Sequence, residues 1–172
     1  IVFGGIHPSF VPEKVLANPC VDYICVGEGE QALIQLANTL ENRDLLAKIE
    51  GIGFKDKNTM ILNPPGHLNH DLDTLPFPDK EIFHNEYKGY SRTDYTIMTS
   101  RGCPRGCSYC YNNSLRKIYK EDKGYVRRRS VENVIDELRH AKERFNPRRI
   151  CFYDDIFTID KEWLNRFSSL YE

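Results

Sequence analysis

Apolar and polar positions change period several times along the chain, and each change marks a predicted element. Ile1-Val2-Phe3 and Tyr23-Ile24-Cys25-Val26 are short apolar runs that stop at Gly4-Gly5 and Gly27, the pattern of buried strands ending in tight turns. Ala32, Leu33, Leu36, Ala37 and Leu40 then recur at helical spacing, with Glu28 and Glu30 near the positive end of that helix. Strand, glycine turn and helix in succession predict an α/β fold class with parallel, doubly wound architecture. Residues 51–63 read as a hairpin, Gly51–Phe54 and Met60–Asn63, turning at Asp56-Lys57-Asn58.

Four prolines, Pro64, Pro65, Pro76 and Pro78, then crowd into fifteen residues and predict an extended, irregular linker. A second βα series starts at Tyr95, where Thr96-Ile97-Met98-Thr99 runs into Ser100-Arg101-Gly102 and a cysteine loop. Ser130 is an expected N-cap, followed by apolar residues at 131, 134, 135, 138, 141 and 145 on one face. Asn146-Pro147 ends that helix, Arg149–Tyr153 is the next strand, and Asp160 starts a helix carrying Trp163, Leu164, Phe167 and Leu170. The expected division is 1–50 as a partial α/β domain, 51–94 as hairpin and linker, and 95–172 as a second α/β domain. The chain opens inside an apolar run and stops inside a helical pattern, so it is expected to be a piece of a longer protein.

Composition narrows the class. The 172 residues are 40% hydrophobic and 28% charged, which excludes a disordered tail, and no apolar run approaches the roughly 18 residues of a membrane span. A net charge of -1 argues against a whole surface built for nucleic acid, which is not an expected partner. Charge is nevertheless uneven: residues 1–100 hold 8 Lys and Arg against 14 Asp and Glu, and residues 101–172 hold 16 against 11. The basic half reads first as a solvated face around Arg127-Arg128-Arg129 and second as a contact for an anionic cofactor or RNA. Six cysteines are too few for a secreted disulfide scaffold, and three lie between 103 and 110. That points to metal chemistry in a reducing compartment such as the cytoplasm.

Cys103-Pro104-Arg105-Gly106-Cys107-Ser108-Tyr109-Cys110 has C-x3-C-x2-C spacing. Gly102, Gly106 and Pro104 disfavour a continuous helix that would merely bury the thiols, and Arg101 and Arg105 make burial costly. Structural zinc normally takes four ligands, usually as two separated pairs. An iron–sulfur cube with three protein cysteines keeps one iron open for a chelating substrate.

The stretch Ser100–Cys110 resembles the cluster loop of radical S-adenosylmethionine (SAM) enzymes, whose signature is C-x3-C-x-aromatic-C after the first strand of a partial (β/α) barrel. The resemblance implies a [4Fe–4S] cluster on Cys103, Cys107 and Cys110, with SAM on the open iron and reductive cleavage to a deoxyadenosyl radical. Tyr109 would lie near the adenine. Ile150–Thr158 resembles the second barrel strand, where many members place Gly-Gly-Glu against the SAM amino group. Here Tyr153-Asp154-Asp155 stands instead, which makes Asp154 and Asp155 SAM-binding candidates, with a capping or turn role for one of them as the alternative.

Gly4-Gly5-Ile6-His7-Pro8, the Val21-Asp22-Tyr23 strand leading into Gly27-Glu28-Gly29-Glu30, and the proline-rich linker together resemble the cobalamin-binding subclass of that family. The resemblance implies the last part of a Rossmann-like cobalamin-binding domain, with Gly4, Gly5, Gly27 and Glu28 as cobalamin-contact candidates, followed by the start of the barrel. It also implies methyl transfer to carbon or a related radical rearrangement, and a reductant such as flavodoxin or ferredoxin. The substrate is expected to be a small or lipid-like molecule. No catalytic acid or base is singled out. His7 reads as a turn histidine, His67, His70, His84 and His140 carry no signal, and Cys20, Cys25 and Cys151 read as small buried hydrophobes. Two rival readings are a tRNA methylthiotransferase, which needs three further upstream cysteines, and a non-enzymatic iron–sulfur or zinc module with a fourth protein ligand.

Overall fold

The computed structural model describes residues 1–57, 59–82, 93–119 and 124–171. Asn58 of the expected hairpin turn and His84 lie outside them. The chain divides into two compact units, Ile1–Asn69 with Arg105–Lys123, and His70–Pro104 with Gly124–Glu172. The boundary therefore falls inside the proline-rich segment. It also gives the stretch that follows the first cysteine to the N-terminal unit, which the expected sequential division did not do.

The first unit carries a four-stranded sheet ordered β1 (Val2–Phe3), β2 (Tyr23–Cys25), β3 (Ile52–Asp56) and β4 (Thr59–Leu62). Only β1 and β2 run parallel; β3 is antiparallel to β2, and β4 to β3. The hairpin thus extends the sheet instead of belonging to a linker, and the architecture is mixed where a parallel one was expected. Short helices α1 (Ile6–Phe10) and α2 (Pro12–Leu16) follow β1, and α3 (Glu30–Thr39) and α4 (Arg43–Leu46) follow β2. Ala32, Leu36, Leu46, Ile49, Ile52 and Phe54 form one core, and Val15, Leu16, Val21 and Ile24 another. Leu33 and Leu40 are exposed although they match the helical period, and β1, expected to be buried, is exposed. An edge strand of two residues has one neighbour and offers little face to cover. Helix α5 (Tyr111–Tyr119) completes this unit.

The second unit is a parallel pair, β5 (Asp94–Ile97) with β8 (Arg149–Phe152), in register from Asp94↔Arg149 to Ile97↔Phe152. A ribbon of β6 (Ser100–Arg101) and β7 (Arg127–Arg128) and the helices α6 (Val131–Phe145) and α7 (Lys161–Tyr171) surround it. Helix α6 starts where Ser130 accepts the Asn133 amide and ends at Asn146 in the left-handed conformation, φ 44°. Its Val131, Val134, Ile135, Leu138 and Ala141 are buried against Tyr95, Ile97, Trp163 and Phe167. Phe157 meets Trp163 and Phe167 edge-on, while Trp163 stacks on Phe167 at 5.2 Å.

The proline-rich segment is irregular, as expected, apart from one 3₁₀ turn at Leu72–Thr74. From His70 onward it packs as part of this unit: Asp73 accepts the Ser130 amide at 3.0 Å, adding a second cap to α6. Strand β5 has one partner strand among the described residues. Thr96 O accepts Lys80 Nζ, and Met98 O accepts Arg129 Nη1 at 3.2 Å. Lys80 also lies 3.5 Å over the Tyr95 ring, whose hydroxyl donates to Glu137 at 2.9 Å, and Glu137 pairs with Arg129. Burial pushes the Lys80 ammonium below the usual lysine range, partly offset by Glu137.

Candidate functional site

The C-terminal ends of β5 and β8 carry the two segments with candidate chemistry. After β5 the chain passes through Thr99 and Ser100, both buried, and then Arg101-Gly102-Cys103. Gly102 has φ +83°, and a Cβ there would stand 2.4 Å from the Tyr125 carbonyl oxygen. Only glycine accepts both that dihedral angle and that approach, so Gly102 sets where Cys103 emerges. Cys103 itself is buried.

Asp154, just past β8, turns back to β5. Its Oδ1 accepts the Thr99 hydroxyl at 2.7 Å, the Thr99 amide at 3.1 Å and the Ser100 hydroxyl; Oδ2 lies 3.2 Å from the same amide. Asp155 is exposed, and so are Tyr153 and Tyr109. The two carboxylates thus have different surroundings: Asp154 is engaged by the neighbouring strand end, and Asp155 sits at the surface.

Arg127-Arg128-Arg129 is not a solvated basic face. Arg127 is buried with Nε donating to Tyr125 O. Arg128 lies 4.5 Å over the Trp163 ring and donates from Nη2 to Phe157 O at 2.6 Å, while its Nε and Nη1 are buried without a hydrogen-bond partner. Burial pushes its guanidinium below the usual arginine range, opposed by Asp154 and Asp160. Arg129 pairs with buried Glu137 and donates to Asn133 Oδ1 at 2.6 Å. Sequence reasoning missed Glu137, although it stands three residues after Val134 and four before Ala141, on the core side of α6. A cleft of about 450 Å³ lies beside these groups, lined by Leu75, Pro78, Lys80, Met98, Arg129 and Tyr153. Its charged groups are engaged with one another and with β5.

In the first unit, Cys107 and Cys110 are half-buried and reduced, with the Cys110 amide donating to Cys107 O at 3.1 Å. Asn112 Nδ2 stands 3.9 Å from Cys110 Sγ. Among the described residues, no group of three His, Cys, Asp or Glu side chains is drawn together closely enough to hold a metal ion. Cys25 is buried, and desolvation with Glu30 raises its thiol. Cys20, expected to be buried, is exposed, and Cys151 is half-buried.

The two glycine turns of this unit adjoin one another after β1 and β2. Ser9 Oγ donates to Gly5 O at 2.7 Å and accepts the Gly27 amide at 2.9 Å, so one hydroxyl bridges both turns. Gly27 has φ +85°, and a Cβ there would lie 2.4 Å from Tyr119 Oη of α5. That same oxygen accepts the Glu28 amide at 2.7 Å, and the Glu28 carboxylate accepts the Asn69 amide at 3.1 Å. Gly27 and Glu28 are therefore enclosed by the protein's own groups. A Cβ on Gly5 would meet nothing within 4 Å and one on Gly4 only Cys25, which leaves that turn the open one of the pair.

No helix among the described residues is long and apolar enough to cross a membrane. Residues 97–169 match the family model described as Radical SAM superfamily. An uncharacterized methyltransferase of Pyrococcus horikoshii is 33% identical over 94% of this chain and 34% of its own length. An anaerobic magnesium-protoporphyrin IX monomethyl ester cyclase of Synechocystis is 34% identical over 64% of the chain and 22% of its own length. Among solved structures, the cobalamin-dependent SAM radical enzyme OxsB, with aqua-cobalamin and SAM bound, matches with a TM-score of 0.67. It is 28% identical, over 91% of this chain and 21% of that one. The chain thus spans about a third or less of the relatives it matches.

Proposed function

We propose, from the premise that this chain belongs to the radical SAM superfamily through residues 97–169, that it is the cluster-bearing part of a cobalamin-dependent radical SAM enzyme. The observation that carries this reading is positional. A three-cysteine loop leaves the C-terminal end of the first strand of a parallel β–α–β unit, the end where such folds gather their chemistry.

The donor set fits an iron–sulfur cluster: Cys103, Cys107 and Cys110 are three thiols outside any disulfide, and the short loop contains glycines that let it adapt. Cluster uptake would organise the loop, as metal binding does wherever ligands are not already gathered. When bound, the cluster supplies the electron that cleaves SAM reductively, and cobalamin supplies a methyl carrier. The chain's own residues do the rest. Gly102 directs Cys103 out of the strand end, Asp155 offers an exposed carboxylate to the SAM amino group, and Tyr109 offers an exposed ring to the adenine. In the first unit, Gly4 and Gly5 offer the open turn for cobalamin, while Gly27 and Glu28 support it from behind.

One relative named as a methyltransferase and one named as a cyclase support methyl transfer to carbon or a related radical rearrangement; the substrate we propose is a small or lipid-like molecule, and the reductant a flavodoxin or ferredoxin. The experiment uses the full-length protein, reconstituted anaerobically with iron and sulfide. The reduced cluster is expected to give an electron paramagnetic resonance signal that SAM alters and that Cys107→Ala abolishes. A signal indifferent to SAM would mean a fourth protein ligand, and the electron-transfer reading would replace this one.

A further inference from the structure

We propose that Asp154 is a positioning residue for the cysteine loop and not a ligand for SAM. The hydrogen bonds around it close a ring. Asp154 Oδ1 accepts from Thr99 and Ser100. Ser100 is paired with Arg128 across the β6–β7 ribbon. The Arg128 guanidinium, stacked over Trp163, donates back to the carbonyl oxygen of Phe157, three residues beyond Asp154. Strand end, ribbon and loop are thereby fixed to one another directly ahead of Gly102-Cys103.

Three features make the ring a positioning device. Thr99 and Ser100 are buried, so their hydroxyls and the Thr99 amide have no ready water to replace the carboxylate. Oδ1 takes three donors and Oδ2 leans on the same Thr99 amide, so both oxygens are turned toward the end of β5. The neighbouring Asp155, by contrast, is exposed. The inference deepens the proposed function, on which it rests only for what the cysteine loop carries.

The test separates geometry from charge. In Asp154→Asn, the amide oxygen can take the place of Oδ1 and keep the three donors, losing only the longer contact of Oδ2 with the Thr99 amide, whereas Asp154→Ala loses all of them. In the full-length protein without cluster, hydrogen exchange at the Thr99 amide and alkylation of Cys103 are measured for wild type and both variants. Asp154→Ala is expected to accelerate Thr99 exchange at least roughly tenfold, the equivalent of one lost hydrogen bond, and to speed Cys103 alkylation with it. Asp154→Asn is expected to stay close to wild type in both. Should Asp154→Ala not fold, Ser100→Ala removes one donor and is expected to give a smaller acceleration of the same two readouts.

After reconstitution, Asp154→Asn is expected to keep the response of the cluster signal to SAM, and Asp155→Asn to weaken it. Unchanged Thr99 exchange in Asp154→Ala would overturn the inference. So would an Asp154→Asn protein that protects Thr99 yet no longer responds to SAM, because Asp154 would then be a cofactor ligand. If wild type itself gave no SAM-responsive cluster, the proposed function would fail, while the exchange data would still decide the role of Asp154.

Discussion

Among the described residues each unit has one parallel strand pair, and in each the two loops at the C-terminal ends are bridged by a side chain. After β1 and β2 the bridge is Ser9, a neutral hydroxyl with one donated and one accepted bond. After β5 and β8 it is Asp154, a carboxylate taking two hydroxyls and an amide from buried neighbours. Charge-assisted bonds are roughly twice as strong as neutral ones, so the second bridge holds its loops more firmly. The segments they control differ in the same sense. Ser9 holds glycine turns, one of them open, whereas Asp154 holds the strand end that sends out Cys103. Under the proposed function, the loop that would carry the cluster is the one anchored harder, and the turn that would admit cobalamin is the one held by neutral bonds.

The sharpest way to break this comparison is Asp154→Ala. It leaves three buried donors unsatisfied and is expected to cost roughly 2–4 kcal/mol, read by urea unfolding with the single tryptophan, Trp163, as probe. Next comes Gly27→Ala, which combines a left-handed φ with a collision against Tyr119 and is expected to cost about 1–3 kcal/mol by the same titration followed by circular dichroism. Adding Tyr119→Ala should recover the collision but not the dihedral cost. Ser9→Ala is expected to cost about 1 kcal/mol, clearly less than Asp154→Ala. An equal loss for the two would erase the difference drawn between the bridges.

The smallest effect concerns the surface pair of Glu132 with Arg166. The Arg166 hydrogen bond holds the Glu132 carboxyl below its ordinary range, so its contribution is present at neutral pH and lost as pH falls through the lowered value. Both side chains are exposed, which keeps the gain small. Glu132→Gln should flatten the acid limb of a stability–pH profile slightly and leave neutral stability nearly unchanged.

What was legible in the sequence was local. Helix α6 could be drawn residue by residue because its cap, its apolar face and its Asn146 stop all lie within one short segment. The pairing of the two hairpin strands was legible too, but not their partner strand, since pairing with β2 depends on distant chain. The Arg127–Arg129 cluster was misjudged for the same reason. Composition describes three adjacent cations, and only tertiary contacts with Trp163, Glu137 and Met98 take them inside. Gly27 reads in the sequence as a cobalamin-contact candidate, and nothing local shows that the group standing against it is Tyr119, ninety-two positions away along the chain. Asp154 was marked for a cofactor, with a turn role as alternative, and spacing could not reveal that its donors come from the end of β5.

The most direct test of the central claim is Mössbauer spectroscopy of the full-length protein reconstituted with isotopically enriched iron, recorded with and without SAM. A cluster held by three cysteines predicts that one iron in four changes its environment when SAM is added, while the other three do not. Four irons that remain equivalent and unmoved by SAM would contradict the account.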